Sequence, residues 1–235
     1  MSTGFIDSVR KRFAPLPAGP ALRCRKRFLK FFPRGFNDPK YFDWERGYKV
    51  QAHEEWQRVL SRSKFRSLLK TQKYLEIAAA AGRIESRTNL LFSFEKMAFR
   101  DAVKDPAGAR LFAEGLYELL YGRGPIAAKF DRWCGVIGGL PRKQTRVMTH
   151  PVVTVFPFIA DPANHIFLKP TTTKRAALEY GFDLKYSSKP SWSVYRSLIE
   201  VANVIKDDMA DLGPRDMIDI QSFIWAIGSD EYRDM

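Results

Sequence analysis

Cysteine is scarce: Cys24 and Cys134 are the two thiols in 235 residues. That excludes a disulfide framework as the organising principle, and it excludes a four-cysteine zinc or iron–sulfur centre; a reducing, cytoplasmic setting is expected. Histidine is nearly as scarce. His53, His150 and His165 are scattered and form no His-x-x-x-His pair, so no metal site is expected from them. The run His53-Glu54-Glu55 opens like a metalloprotease motif, but residue 57 is Gln where the second ligand belongs, which leaves His53 as a surface histidine. Long apolar runs are missing too. The longest uncharged apolar stretch, 147–160, is too short to span a bilayer and carries Pro151 and Pro157, so no integral membrane association is expected. No secretory pattern follows the basic start, and there is no internal repeat.

Acidic residues are outnumbered, 26 against 39 Lys and Arg, for a formal net charge of +13 and a pI near 9.8. A polyanionic partner becomes a candidate. The imbalance is local: residues 1–37 hold nine basic groups and one acid, whereas 207–235 hold two basic groups and eight acids. Within RCRKRFLKFF (23–32) and PRKQTR (141–146), the candidate nucleic-acid-binding residues are Arg23, Arg25, Lys26, Arg27, Lys30, Arg142, Lys143 and Arg146. Cations neutralise phosphates, and the interleaved aromatics stack on bases. The competing reading buries Phe28, Leu29, Phe31 and Phe32 and leaves the cations solvated or bound to the acidic C-terminal end.

Apolar residues are plentiful, 45% of the chain with 14% aromatic, enough for one substantial core or for one core plus a small satellite domain. The organisation read is a basic N-terminal arm at 1–37, mobile or ordered by a partner, and one globular domain at 38–235. The domain reads as helical over 38–140 and mixed over 141–235. Tyr41, Trp44, Tyr48, Ala52, Trp56 and Val59 recur at helical spacing, which places Glu45 and Lys49 on the wet side as an i,i+4 pair. Further helices are expected near 64–70, 74–81, 84–103, 109–121 and 125–137. Beyond the turn cluster Gly138-Gly139-Leu140-Pro141, the β-branched and aromatic runs 152–159, 165–168 and 182–186 read as strands. A short helix ended by Gly181, a long one from Trp192 to Met209, and a terminal one from Pro214 complete the chain. The fold class expected is α+β, helix-dominated, with a small sheet of about three short strands.

Five segments carry a resemblance: ERGYK (45–49), RIESRTNLLFSFEKMA (83–98), HIFLKP (165–170), YGFDLKY (180–186) and PRDMIDIQSFIW (214–225). Together they resemble an uncharacterised bacterial family with a C-terminal PRDxIDxQSFIW-type tail. The resemblance implies an association with restriction and phage defence, and it implies no activity, cofactor or site residue.

Three constellations bear on chemistry. GRGPIAAK (122–129) lacks the Gly-Lys-Ser/Thr end of a phosphate loop and follows a helix instead of a strand, so it reads as a helix–helix turn. On a helix over 84–103, Glu85, Asn89, Ser93, Lys96 and Arg100 fall within about 80°, a polar stripe that lines a cleft or simply faces water. Asp183-x-Lys185 with Asp161 suggests two carboxylates holding Mg²⁺ or Mn²⁺ while Lys assists a water, against an ordinary charge pair on an edge strand. The reading is a nucleic-acid-associated binding or accessory protein with DNA or RNA as partner and no cofactor. Alternatives left open are a metal-dependent nuclease around Asp183 and Lys185, and a non-catalytic protein–protein adaptor.

Overall fold

The computed structural model describes residues 18–141 and 147–232, and every regular element among them is helical. In chain order α1 is Ala18–Phe31, α2 Pro39–Tyr41, α3 Gly47–Leu60, α4 Arg62–Lys70, α5 Tyr74–Glu85 and α6 Ser93–Val103. They are followed by α7 Pro106–Tyr121, α8 Ile126–Gly138, α9 His150–Ala160, α10 Pro170–Tyr180, α11 Trp192–Asp208 and α12 Met217–Gly228. Helix starts are written in side chains that accept from orphan amides. Asp105 receives the N–H groups of Ala107 and Gly108, Asp216 those of Ile218 and Asp219, and Asp38 that of Lys40. Pro106 and Pro170 open α7 and α10, where a missing N–H costs nothing. At the other end of α10, Gly181 takes φ +89°, the left-handed stop that glycine adopts freely.

The expected α+β architecture is overturned, because none of the three strand candidates is a strand. Residues 152–159 lie inside α9, which is buried along its whole length against α3, α5, α6, α7 and α8. A run buried on every side loses the polar positions that give a helix its period, so it reads like an interior strand. Pro157 sits within this helix and withholds its bond from the Val153 carbonyl; the Trp133 indole N–H fills that place at 2.8 Å. The last carbonyls, those of Ile159 and Ala160, are taken by His53 Nδ1 and Gln57 Nε2 of α3 at 2.8 and 2.9 Å. His53 is thus a half-buried cap of the central helix.

The segments 165–168 and 182–186 form no regular element, and side chains or a helix carbonyl stand in for a neighbouring strand at several of their amides. Ile166 N–H donates to the Tyr195 hydroxyl at 3.0 Å and Leu168 N–H to Thr154 Oγ1 at 3.0 Å. In the second segment Phe182 N–H returns to the Ala177 carbonyl, and Lys185 N–H reaches Ser197 Oγ.

Residues 18–31, read as part of an arm, form α1, which packs on α10 and α12 with Cys24, Phe28 and Phe31 buried and Phe32 buried just beyond it. Helices α10 and α12 approach closely, since a Cβ on Gly228 would stand 2.1 Å from the Thr172 carbonyl oxygen. Both thiols are reduced and buried, and burial pushes Cys24 up to about 11 and Cys134 up to about 12.

Candidate functional site

The segments that carry the resemblance meet in two polar clusters. The first is centred in the core on the buried Asp219, Tyr41, Glu45 and Lys49, with Arg215 and Asp216 at its outer edge. A π turn at Phe42–Arg46 joins α2 to α3. Tyr41 and Arg46, five residues apart, would diverge by about 140° on an α-helix but come much closer to one face on a π turn, whose wider winding closes i→i+5 hydrogen bonds. Both reach one atom: Asp219 Oδ1 accepts from the Tyr41 hydroxyl at 2.5 Å and from Arg46 Nη1 at 2.8 Å. Arg46 also holds Asp216, and burial opposes but does not overcome the effect of that bond, which keeps the Asp216 carboxyl below the usual carboxylate range. Arg215 closes on Asp219 at 3.0 Å. Beside this group Lys49 Nζ bonds Ser222 Oγ at 2.8 Å and Glu45 at 3.2 Å, while the Tyr232 hydroxyl donates to Glu45 at 2.7 Å. The Glu45–Lys49 pair expected on the wet side is therefore buried. The π turn rotates α3 and exposes Trp44 in its stead.

The second cluster borders a cleft. The expected helix 84–103 is interrupted at 86–92, so Glu85, Asn89, Ser93, Lys96 and Arg100 share no single helical face. The interruption brings Glu85 and Lys96 together by another route, across the bend at 3.6 Å, where Lys96 also donates to the Thr88 carbonyl at 2.7 Å. Burial pushes Glu85 up, with Lys96 opposing. Lys169 arrives from the HIFLKP segment, donates to the Leu90 carbonyl at 2.9 Å, stands 3.7 Å from Glu95, and lies 3.3 Å from the centre of the Phe92 ring. Burial lowers its affinity for the proton while Glu95 opposes the shift.

The cleft in front of Lys169 has a volume of about 370 Å³. Its walls include the first residues of α6, α9 and α10: Phe94 and Glu95, His150 and Pro151, Pro170 to Thr172. Three helix starts therefore border one space; Pro151 and Pro170 carry no N–H and Thr149 Oγ1 takes the Val152 amide, so only the remaining first-turn amides are without a carbonyl in their own helix. His150 Nε2 donates to the Ser187 carbonyl at 2.7 Å, because a carbonyl can only accept; Nδ1 is left as an acceptor. Burial lowers the pKa of His150, against the effect of the Ser187 carbonyl, so the ring is neutral. Phe92 and Phe94 flank the mouth 56% and 50% exposed, with their rings 5.9 Å apart and 26° from parallel. Glu95, His150 and Lys169 escaped sequence reasoning. The usable signal was positional: a histidine before Pro151 and a lysine before Pro170, each at a helix start.

The arm cations fall into two groups. Arg25 bonds Asp211 at 2.7 Å, and Arg27 bonds Glu179 at 2.9 Å and reaches the Tyr232 carbonyl, so the acidic end of the chain takes up part of the basic start. Arg23, Lys26 and Lys30 are exposed. Arg142, Lys143 and Arg146 lie outside the described residues. Asp161 lines a different cleft of about 450 Å³ with His53, Arg62, Tyr121 and Asp216, and neither Asp183 nor Lys185 lines it. Asp183 and Lys185 are exposed on the segment after α10. Among the described residues no three His, Cys, Asp or Glu side chains gather to hold a metal ion, and no helix is long and apolar enough to cross a membrane. No family model, no curated protein and no solved structure matches the chain.

Proposed function

We propose that the chain is a nucleic-acid-associated binding protein whose point of contact is the cleft between α6, α9 and α10, where an unpaired base and its phosphate are held. The observation that carries this reading is the pair of exposed, nearly parallel Phe92 and Phe94 rings beside three helix N-termini. A base laid on such rings gains about 1–3 kcal/mol from stacking. Its phosphate is favoured at first-turn amides, as at other helix N-termini. The local ion pairs do not supply the attraction, for Lys96 and Lys169 are balanced by Glu85 and Glu95. Long-range attraction comes from the excess of 39 basic over 26 acidic residues, with Arg23, Lys26 and Lys30 exposed on α1.

The test is anisotropy of labelled single-stranded DNA and RNA oligonucleotides over a range of salt. Binding that weakens as salt rises is expected, and Phe92→Ala with Phe94→Ala lowers affinity about tenfold or more at fixed salt. An affinity untouched by the double substitution removes the cleft from the reading, and no binding at low salt removes nucleic acid. One observation favours a protein adaptor as the second reading: Met97, 54% exposed, extends the apolar surface of Phe92 and Phe94 along α6.

A further inference from the structure

A third depression runs between α5 and α6, on residues that take no part in either cleft. Its volume is about 560 Å³, and its floor is Ala78, Ala79, Gly82, Phe99 and Val103, with Leu75 at one end 48% exposed. Small side chains on α5 keep this floor low. A Cβ on Gly82 would already touch the Phe99 ring at 3.4 Å, so the groove owes its depth to the absence of side chains on one wall. The polar members of the rim include Arg83, Arg100 and Lys104, and no Asp or Glu lines it. All three cations are exposed, and none is in an ion pair among the described residues. Glu55, whose carboxylate senses Arg83, is committed to Arg58 through contacts of 2.8 and 2.6 Å.

We propose that this groove is the docking site for an acidic amphipathic helix of a partner protein. From Leu75 to Ser86 the α5 wall extends roughly 17 Å at 1.5 Å per residue, the length of about three helical turns. An apolar stripe at i, i+3, i+4 and i+7 fills such a trough, since alanine and glycine walls let two helix axes come within about 8–10 Å. Flanking glutamates then meet Arg83 on one side and Arg100 and Lys104, one turn apart, on the other. A basic or neutral helix of the same apolar face gains the burial and forgoes the pairing, so charge selects among candidates of equal hydrophobicity.

The probe is a pair of synthetic helical peptides of about four turns with identical leucine stripes, one flanked by glutamate and its twin by lysine. Anisotropy with the full chain is expected to show saturable binding of the acidic peptide, about tenfold or more tighter than that of the basic twin. The triple reversal Arg83→Glu, Arg100→Glu and Lys104→Glu is expected to invert the preference while leaving the far-UV spectrum and melting temperature near those of the parent. Ala79→Trp, which fills the floor, weakens both peptides. Equal affinity for the twins, or no saturable binding of the acidic one, overturns the proposal. So does capture of the protein by phosphatidylserine vesicles through the same three cations with no affinity for the peptide. Phe92→Ala with Phe94→Ala leaves peptide binding unchanged, so failure here and failure of the oligonucleotide reading are told apart.

Discussion

Lys49 and Lys169 are both buried lysines paired with glutamate, and they stand in different kinds of surroundings. Lys49 is enclosed by α3, α12 and the Tyr232 hydroxyl that completes Glu45. Lys169 is held as firmly, by a carbonyl, a carboxylate and an aromatic face, yet its pair borders open volume. A buried ion pair is thus not in itself a sign of function. Access decides: the sealed pair fixes how two helices meet, and the bordering pair shapes what a ligand would meet.

The comparison can be broken in order of expected effect. Removing residues 214–235 deletes α12 with Asp219, Ser222, Phe223 and Ile227, and should abolish cooperative unfolding altogether, as followed by circular dichroism; an unshifted melt would place α12 outside the core. Lys49→Met strands Glu45 beside Tyr232 and should cost about 3–5 kcal/mol in urea denaturation, because a buried carboxylate loses its counter-charge. The same substitution at Lys169 leaves Glu95 at the edge of the cleft with the Phe92 amide still donating to it, and a smaller loss of about 1–2 kcal/mol is expected. Equal costs for the two lysines would erase the distinction between the regions.

Acid sharpens the comparison further. Burial pushes His165 from 6.5 down to about 4, and Nδ1 of the ring lies 3.2 Å from the Tyr195 hydroxyl, which also accepts from Ile166 N–H. The folded state therefore binds this proton less readily than the unfolded chain. The stabilisation is whole above 6.5 and is lost as pH falls toward 4, by roughly 2 kcal/mol on reaching pH 5. His165→Phe should remove that slope from the urea midpoint measured between pH 7.5 and 5. A slope that persists assigns the acid sensitivity elsewhere, with His150 the next group to examine since its shift has the same sign. The smallest effect concerns α9: Trp133→Phe frees the Val153 carbonyl and should cost about 1 kcal/mol. A double-mutant cycle with Pro157→Ala, which restores a backbone donor, should show the two changes coupled.

Much of the helical frame was legible in sequence where side chains state a boundary. Gly181 marks a stop and the spacing from Trp192 to Met209 a buried face, each local chemistry that tertiary contacts need not supplement, whereas Asp105-Pro106, read as the break after one helix, is also the capped start of the next, three residues before the expected Ala109. The failures have one physical origin. Periodicity reports which face is wet, so it is silent for α9, which has none, and misleading at Glu45 and Lys49, where a π turn brings polar side chains inward to partners more than 170 residues away. Glu85 and Lys96 were singled out for an α-helical register that does not exist, and they meet because the chain bends between them. Asp183 and Lys185 lie on a segment expected as a strand, which pairs with no strand among the described residues; Ser197 Oγ accepts from the Lys185 amide instead.

The central helix has a consequence for how the chain assembles. Val152, Val153, Thr154, Val155, Phe156 and Pro157 are poor helix formers, and a peptide of this composition would not nucleate a helix in water. Its missing rung and its last two carbonyls are completed by Trp133, His53 and Gln57, so α9 acquires its conformation from neighbours already in place. The expected order of folding is from the rim inward, with α9 joining after the rate-limiting step, and a chevron analysis tests it. Val155→Ala should accelerate unfolding and leave the refolding limb of the chevron almost unmoved, a φ-value near zero at the most deeply buried part of the molecule.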